Sequence, residues 1–170
     1  TCKAGGEATL RRLFGSECKL EDWLPLQDAM PVGKTIAFAP GGGWSSSGAC
    51  PFFNVQWADG GVITALGWSG QWNASVERSA DAVRIQAGMQ SMHLKLHPGE
   101  SIRSPRVVQL YWFGDDPWQG YNQFRRLMFA HIMPRVGGQV VVTPIAHMST
   151  SFYELNDSTE ANVLSHLEAA

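Results

Sequence analysis

Two indoles bracket one tight turn in this chain: Trp68 and Trp72 flank Ser69-Gly70-Gln71 in the stretch GWSGQW. A sugar ring presents axial C–H groups that pack on an indole face, while polar neighbours bind its hydroxyls. Trp44 has a similar setting, in the Gly/Ser-rich stretch PGGGWSSSGACP at 40–51. These three tryptophans are the candidate substrate-binding platform, and carbohydrate is the candidate partner. The competing use of such rings is core filling or packing at a domain interface. The apolar run before Trp68 favours that use for Trp68 and Trp72. Trp57 and Trp112, inside apolar strands, read as core.

The titratable residues give less. His93 and His97 have the i,i+4 spacing of helical metal sites, but HLKLH alternates like a strand and lacks an acidic partner, so no metal is expected. His147, with Met148 and Ser149, follows the apolar run QVVVTP. The carboxyl ends of strands in α/β folds gather functional loops, which makes His147 a site candidate. Asp115-Asp116 precedes a helical pattern, where negative charge is favourable without any chemistry. Glu100 lies in a His-Pro-Gly-Glu turn. There is no Gly-rich phosphate loop followed by Lys, no G-x-S-x-G elbow and no catalytic triad. No cofactor is implied.

The elements that must position these residues follow from composition and pattern. The chain has 170 residues, is 44% hydrophobic and 16% charged, and carries a net charge of −2. That supports a packed core. No basic run exceeds Arg125-Arg126, which argues against nucleic acid and against attachment to an anionic membrane. No apolar stretch approaches the roughly 20 residues of a membrane span. Three cysteines without a C-x-x-C pair suggest reduced, cytoplasmic-type thiols. The N-terminus has neither Met nor a signal-peptide pattern, so it need not be a native start.

Seven tryptophans and 18 glycines punctuating short apolar segments predict an all-β sandwich. Residues 1–34 read as irregular, broken by Pro25, Pro31 and Gly33. Strands are expected at Thr35–Ala39, Phe52–Trp57, Val62–Trp68, Trp72–Arg78, Ala82–Ala87, Gln90–Leu96 and Arg106–Phe113. Asp59-Gly60 should make the hairpin turn between the second and third, and Gly88 a turn before Gln90. Arg106–Phe113 is apolar on both alternating sets, which predicts cover on both faces by a second layer or a second domain. Tyr121, Phe124, Met128 and Ile132 predict a helix over 119–133, ended by Pro134. A strand at Gln139–Thr143 and a helix beginning near Asp157-Ser-Thr-Glu160 read as the first βα unit of a parallel architecture. One such unit cannot bury its own strand, so a fragment of a larger protein is expected.

Three stretches in order resemble one family. PFFNVQWADGGVITALGWSGQWNASV (51–76) resembles the β-domain of α-galactosidase-like enzymes of glycoside hydrolase family 36, in the melibiase clan. LHPGESIRSPRVVQLYWFGDDPWQGYNQFRRLMFAHIMPR (96–135) resembles the last sandwich strand and linker helix. VVVTPIAHMSTSFYELNDSTEANVLSHLEAA (140–170) resembles the first strand and helix of the catalytic barrel. The resemblance implies a mainly β fold: an antiparallel β-sandwich, part of a galactose-mutarotase-like supersandwich, over 1–114. A linker helix over 115–136 and the first unit of a (β/α)8 barrel over 137–170 would follow. It implies retaining hydrolysis of α-galactosides or related sugars, with one Asp attacking the anomeric carbon and a second carboxyl group protonating the leaving oxygen. The family carries both on later barrel strands. A whole barrel takes about 250 residues, so no catalytic residue is assigned in this chain, and the remainder of the barrel is an implied partner. The resemblance implies that His147, Met148 and Ser149, after the first barrel strand, are the substrate-binding candidates there. The alternatives are a sugar-binding module without hydrolysis, and a structural domain that mediates packing or homo-oligomerisation.

Overall fold

In the computed structural model, residues 1–3, 6–141 and 159–169 are described, and they form two compact units, 1–127 and 128–170. The first unit is mainly β, with antiparallel sheets. Its strands are β1 (Cys2–Lys3), β2 (Thr9–Leu13), β3 (Pro25–Ala29), β4 (Thr35–Phe38), β5 (Phe52–Trp57), β6 (Gly60–Gly67), β7 (Trp72–Arg78), β8 (Ala82–Met89) and β9 (Arg106–Phe113), followed by helix α1 (Pro117–Leu127). One sheet has the order β1-β8-β7-β4 and the other β3-β2-β5-β6-β9. Successive strand side chains point to opposite faces. Leu10, Phe53, Val55, Val62 and Leu66 of the larger sheet therefore meet Trp72, Ala74, Val76 and Val83 of the smaller in one shared core. Phe38 of β4 bridges the layers, edge-on to Phe53 (5.1 Å) and to Trp72 (5.9 Å). This is the sandwich arrangement that the glycine-punctuated pattern predicts.

Cover on both faces occurs at β6, not at β9. Residues Gly60–Leu66 are all buried, with the second sheet on one side and α1 on the other. β9 lies at the edge. Trp112 is 1% exposed, whereas Val107, Tyr111 and Phe113 on its other face are 43%, 49% and 79% exposed. From the smaller sheet, the Cys2 thiol of β1 lies 3.3 Å from the Tyr111 hydroxyl. Two-sided burial requires closely packed layers, and glycine supplies the room. A Cβ on Gly61 would lie 2.6 Å from Cζ2 of Trp112, and one on Gly120 of α1 would lie 2.7 Å from its Cγ. The indole is thus held between strand and helix, with Nε1 donating to Asn54 Oδ1 at 3.0 Å.

Several expectations are corrected. The segment 1–34 contains three strands. β2 is central, paired to both β3 and β5, because Leu10 faces the core while Arg11 faces outward. Pro25 breaks nothing, since it opens an edge strand, where proline is tolerated. The β5–β6 turn is Ala58-Asp59, because Trp57 pairs with Gly60. Gly60 belongs to β6, where a Cβ would collide with the Trp112 carbonyl of β9. Gly88 lies inside β8, and no strand forms over 90–96: β8 loses its partner where β7 begins at Trp72, opposite Met89. Met92, Leu94 and Leu96 are left exposed in coil. The chain then turns at His97–Glu100, where Gly99 has φ +87°.

In the second unit Met128–Ile132 form a π-helical turn, closed by the Met133 amide on the Met128 carbonyl. β10 (Arg135–Val136) and β11 (Gln139–Val140) form a hairpin through Gly137 and Gly138, both at positive φ as a type I′ turn needs. α2 (Glu160–Ala169) is capped by Thr159: the Asn162 backbone amide donates to Thr159 Oγ1 and the Thr159 amide to Asn162 Oδ1, while the expected start at Asp157 lies outside the described residues. Of the rest of the expected 139–143 strand, Val141 is outside any strand, and 142 and 143 lie outside the described residues.

Gly61→Ala should destabilise the protein by about 1–3 kcal/mol, the usual cost of overpacking, because the Trp112 ring has nowhere to move. Urea unfolding followed by circular dichroism measures this, and an unchanged midpoint would contradict the clamp.

Candidate functional site

Three loops meet at one end of the sandwich, and the candidate tryptophans are distributed among them. The Gly/Ser stretch 40–50 lies against the turn 67–72: Gln71 Nε2 donates to the Gly42 carbonyl at 2.5 Å and Trp72 Nε1 to the Ser45 carbonyl at 2.7 Å. It also lies against the 15–24 loop, where the Ser16 amide donates to the Ser46 carbonyl and Trp44 Nε1 to the Ser16 carbonyl. A buried indole N–H needs such a partner, and Trp72 finds one while its ring is 0% exposed. No ligand face remains on Trp72, so its place in the platform is corrected: it is core. Trp68 is half-buried and packs against the same cluster. Trp44 alone of the three presents a large open surface, 54% exposed, with its N–H already anchored.

The 15–24 loop that anchors Trp44 is organised by one carboxylate. Asp22 accepts from the Glu17 and Cys18 amides at 2.8 and 2.9 Å and from the Ser16 hydroxyl at 3.4 Å. The Glu17 amide foremost, with the Lys19 and Cys18 amides and the Ser16 hydroxyl adding to it, lowers the Asp22 pKa below the ordinary 3.8. Cys18 and Trp23 adopt φ of +60° and +64°, a region uncommon for non-glycine residues.

A shallow groove of about 690 Å³ runs across the outer face of the smaller sheet. It exists because the outward positions of β4, β7 and β8 carry small residues. Ala37, Ser75 and Gln86 stand in one cross-strand row, and Asn73 faces Gly88 in the next. Asn73, Ser75 and Gln86 give it hydroxyl and amide groups suited to a polar, uncharged ligand. Their polarity at alternate positions of WNASVER and AVRIQAGM was visible in the sequence, but which small residues would line up across strands depends on register.

The outer face of the larger sheet is different. A cavity of about 450 Å³ lies between it and α1, walled by Phe52, Trp118, Tyr121 and Phe124. Asn54 sits at its base, 1% exposed; its Oδ1 is engaged by Trp112 and its Nδ2 has no partner. An unsatisfied buried donor costs about 1–3 kcal/mol. The only sequence signal was a lone Asn within the apolar strand FFNVQW.

The remaining candidates are dispersed. His147, Met148 and Ser149 lie outside the described residues. His93 and His97 occupy exposed coil, and no group of three or more His, Cys, Asp or Glu assembles as a metal site among the described residues. Asp116 caps α1, its Oδ1 accepting from the Trp118 amide at 3.0 Å, with Pro117 at the first helical position. Glu100 Oε2 accepts from the His97 amide within its turn. No helix among the described residues is long and apolar enough to cross a membrane. No family model matches the chain, and no curated protein matches it significantly.

The Asp22 carboxylate makes the anchorage of Trp44 pH-dependent. Its folded pKa lies below its unfolded one, so the loop is fully supported above about pH 3.8 and loses that support as pH falls through the folded value. The Glu17 and Cys18 amide resonances should titrate together with a midpoint below 3.8; a midpoint at or above 3.8 would refute the capping role.

Proposed function

We propose that the chain is the N-terminal part of a retaining α-galactosidase-like glycoside hydrolase, with both catalytic carboxylates outside these 170 residues. The observation that carries this reading is the order of the three family-like stretches, at 51–76, 96–135 and 140–170. An antiparallel sandwich followed by helical segments is the arrangement such an enzyme would need ahead of its barrel. The last stretch would supply the first strand and helix of a (β/α)8 barrel, and His147, Met148 and Ser149 would then lie at the substrate end of that strand. In this reading the sandwich packs against the remainder of the barrel and does not itself catalyse. The chemistry would be attack by one Asp on the anomeric carbon and proton donation by a second carboxyl group.

Hydrolysis of nitrophenyl α-galactoside tests it on two samples, the 170-residue chain and the product of the complete reading frame. Turnover by the longer protein alone is the expected result. Turnover by the 170 residues would overturn the placement of the carboxylates, and turnover by neither would overturn the glycosidase reading.

A second reading, sugar binding without hydrolysis, draws on the anchored and exposed Trp44 indole and on the polar outer groove. Under it, Trp44→Ala weakens galactose binding in an NMR titration, while Trp68→Phe leaves it nearly unchanged. Equal effects of the two substitutions, or no saturable binding, would dismiss a platform at Trp44.

A further inference from the structure

The cavity under α1 has a lining unlike that of a sugar site. Its walls are rings: Phe52 and Phe124 meet edge-to-face at 6.0 Å, and Trp118 and Tyr121 at 5.8 Å. Aromatic pairs in this geometry accept a further planar ring at offset or perpendicular contact. The base is a cross-strand row fixed by register, Gln27–Arg11–Asn54–Ile63, one residue each from β3, β2, β5 and β6. Its polar members offer donors. Trp112 holds the Asn54 amide by its oxygen, and the unpartnered Nδ2 is buried in the floor beneath the cavity. Arg11 Nε donates to Gln56 Oε1 at 2.8 Å, and Gln56 Nε2 donates to the Asp115 carbonyl at 3.0 Å. That chain sets the plane of a guanidinium whose remaining N–H groups are suited to a carboxylate.

Charge points the same way. No Asp or Glu side chain lines the cavity among the described residues. The second arginine of the lining, Arg12, is neutralised by Asp28 at 2.8 Å. Arg11 therefore leaves an apolar cavity with one unmatched positive charge beside a buried amide donor. A sugar would leave most of its hydroxyls unpartnered against the rings, and a polyanion would have to shed its hydration for a single cation. An aromatic ring bearing one carboxylate satisfies walls and base together, and the volume of about 450 Å³ lies within the range of small-molecule sites.

We propose that the cavity between the larger sheet and α1 is a binding site for a small aromatic carboxylate, with Arg11 holding the carboxylate and the four rings holding the arene. The site is independent of the glycosidase reading and stands or falls without it.

Titration of the 170-residue chain with 2-naphthoate, with the neutral 2-naphthylmethanol as control, tests the proposal by calorimetry. Saturable one-to-one binding of naphthoate, about tenfold or more tighter than the alcohol, is expected. Arg11→Gln should remove that preference without weakening the alcohol, and nuclear Overhauser contacts should connect naphthoate to the Trp118 indole. Should Arg11→Gln fail to fold, Gln27→Ala on the edge strand replaces it, with a smaller loss of naphthoate affinity expected. Equal affinity for the acid and the alcohol, absence of saturation, or naphthoate binding unaffected by the folded variant would overturn the proposal.

Discussion

The packing of one indole between two glycines governs the first unit. Trp112 fills the space that Cβ atoms at Gly61 and Gly120 would occupy, and its N–H is satisfied by Asn54 on the next strand but one. Four elements are fixed by that ring: β5 through the hydrogen bond, β6 and α1 through the glycines, and β9 as its carrier. Without it α1 would stand further from the sheet, and the all-buried run of β6 would lose its outer cover. The ring also fixes Asn54, and with it the base of the cavity beneath α1. Stability and the shape of the candidate ligand site therefore rest on the same contact.

The two sheets use their outer faces in opposite ways. The smaller sheet keeps Ala, Ser, Asn and Gly outward, and its groove is open and polar. The larger sheet places a row of polar residues outward and then covers it with an aromatic helix face. Burying polar groups is costly unless partners are supplied, and here Trp112 and Gln56 supply only some. The free capacity of Arg11 is concentrated where the helix leaves a gap. The proposed glycosidase would use neither face for catalysis, so a ligand under α1 would serve a different purpose from bond cleavage.

Much of the sandwich was legible because burial repeats with period two. Trp72–Arg78 and Arg106–Phe113 match their strands to the residue, and Asp116-Pro117 marks the start of α1. The errors have a common cause: local pattern cannot reveal a partner. TLRRL reads as polar and irregular, yet it becomes a strand because β3 and β5 flank it. MHLKL alternates well, yet it stays coil because no strand lies beside it. Trp44 and Trp72 sit in similar Gly/Ser surroundings, and only the folded loops separate an open ring from a buried one. The candidate site was less legible still, since Arg11, Asn54 and Tyr121 are far apart in sequence and become neighbours through sheet register and a helix laid across it.

The ring between two glycines also restricts how this sequence can drift. Neither glycine can gain a side chain while Trp112 stands, so any divergent lineage must shrink the residue at 112 first. That step, however, strands the Asn54 oxygen without its donor, which favours loss of the amide next. Shrinking the residue at 112 releases position 120 alone, since a Cβ on Gly61 would still lie 2.6 Å from the Val55 carbonyl. The order of replacement is set by geometry: Gly120 can change only after Trp112, whereas Gly61 stays fixed by the strand beside it.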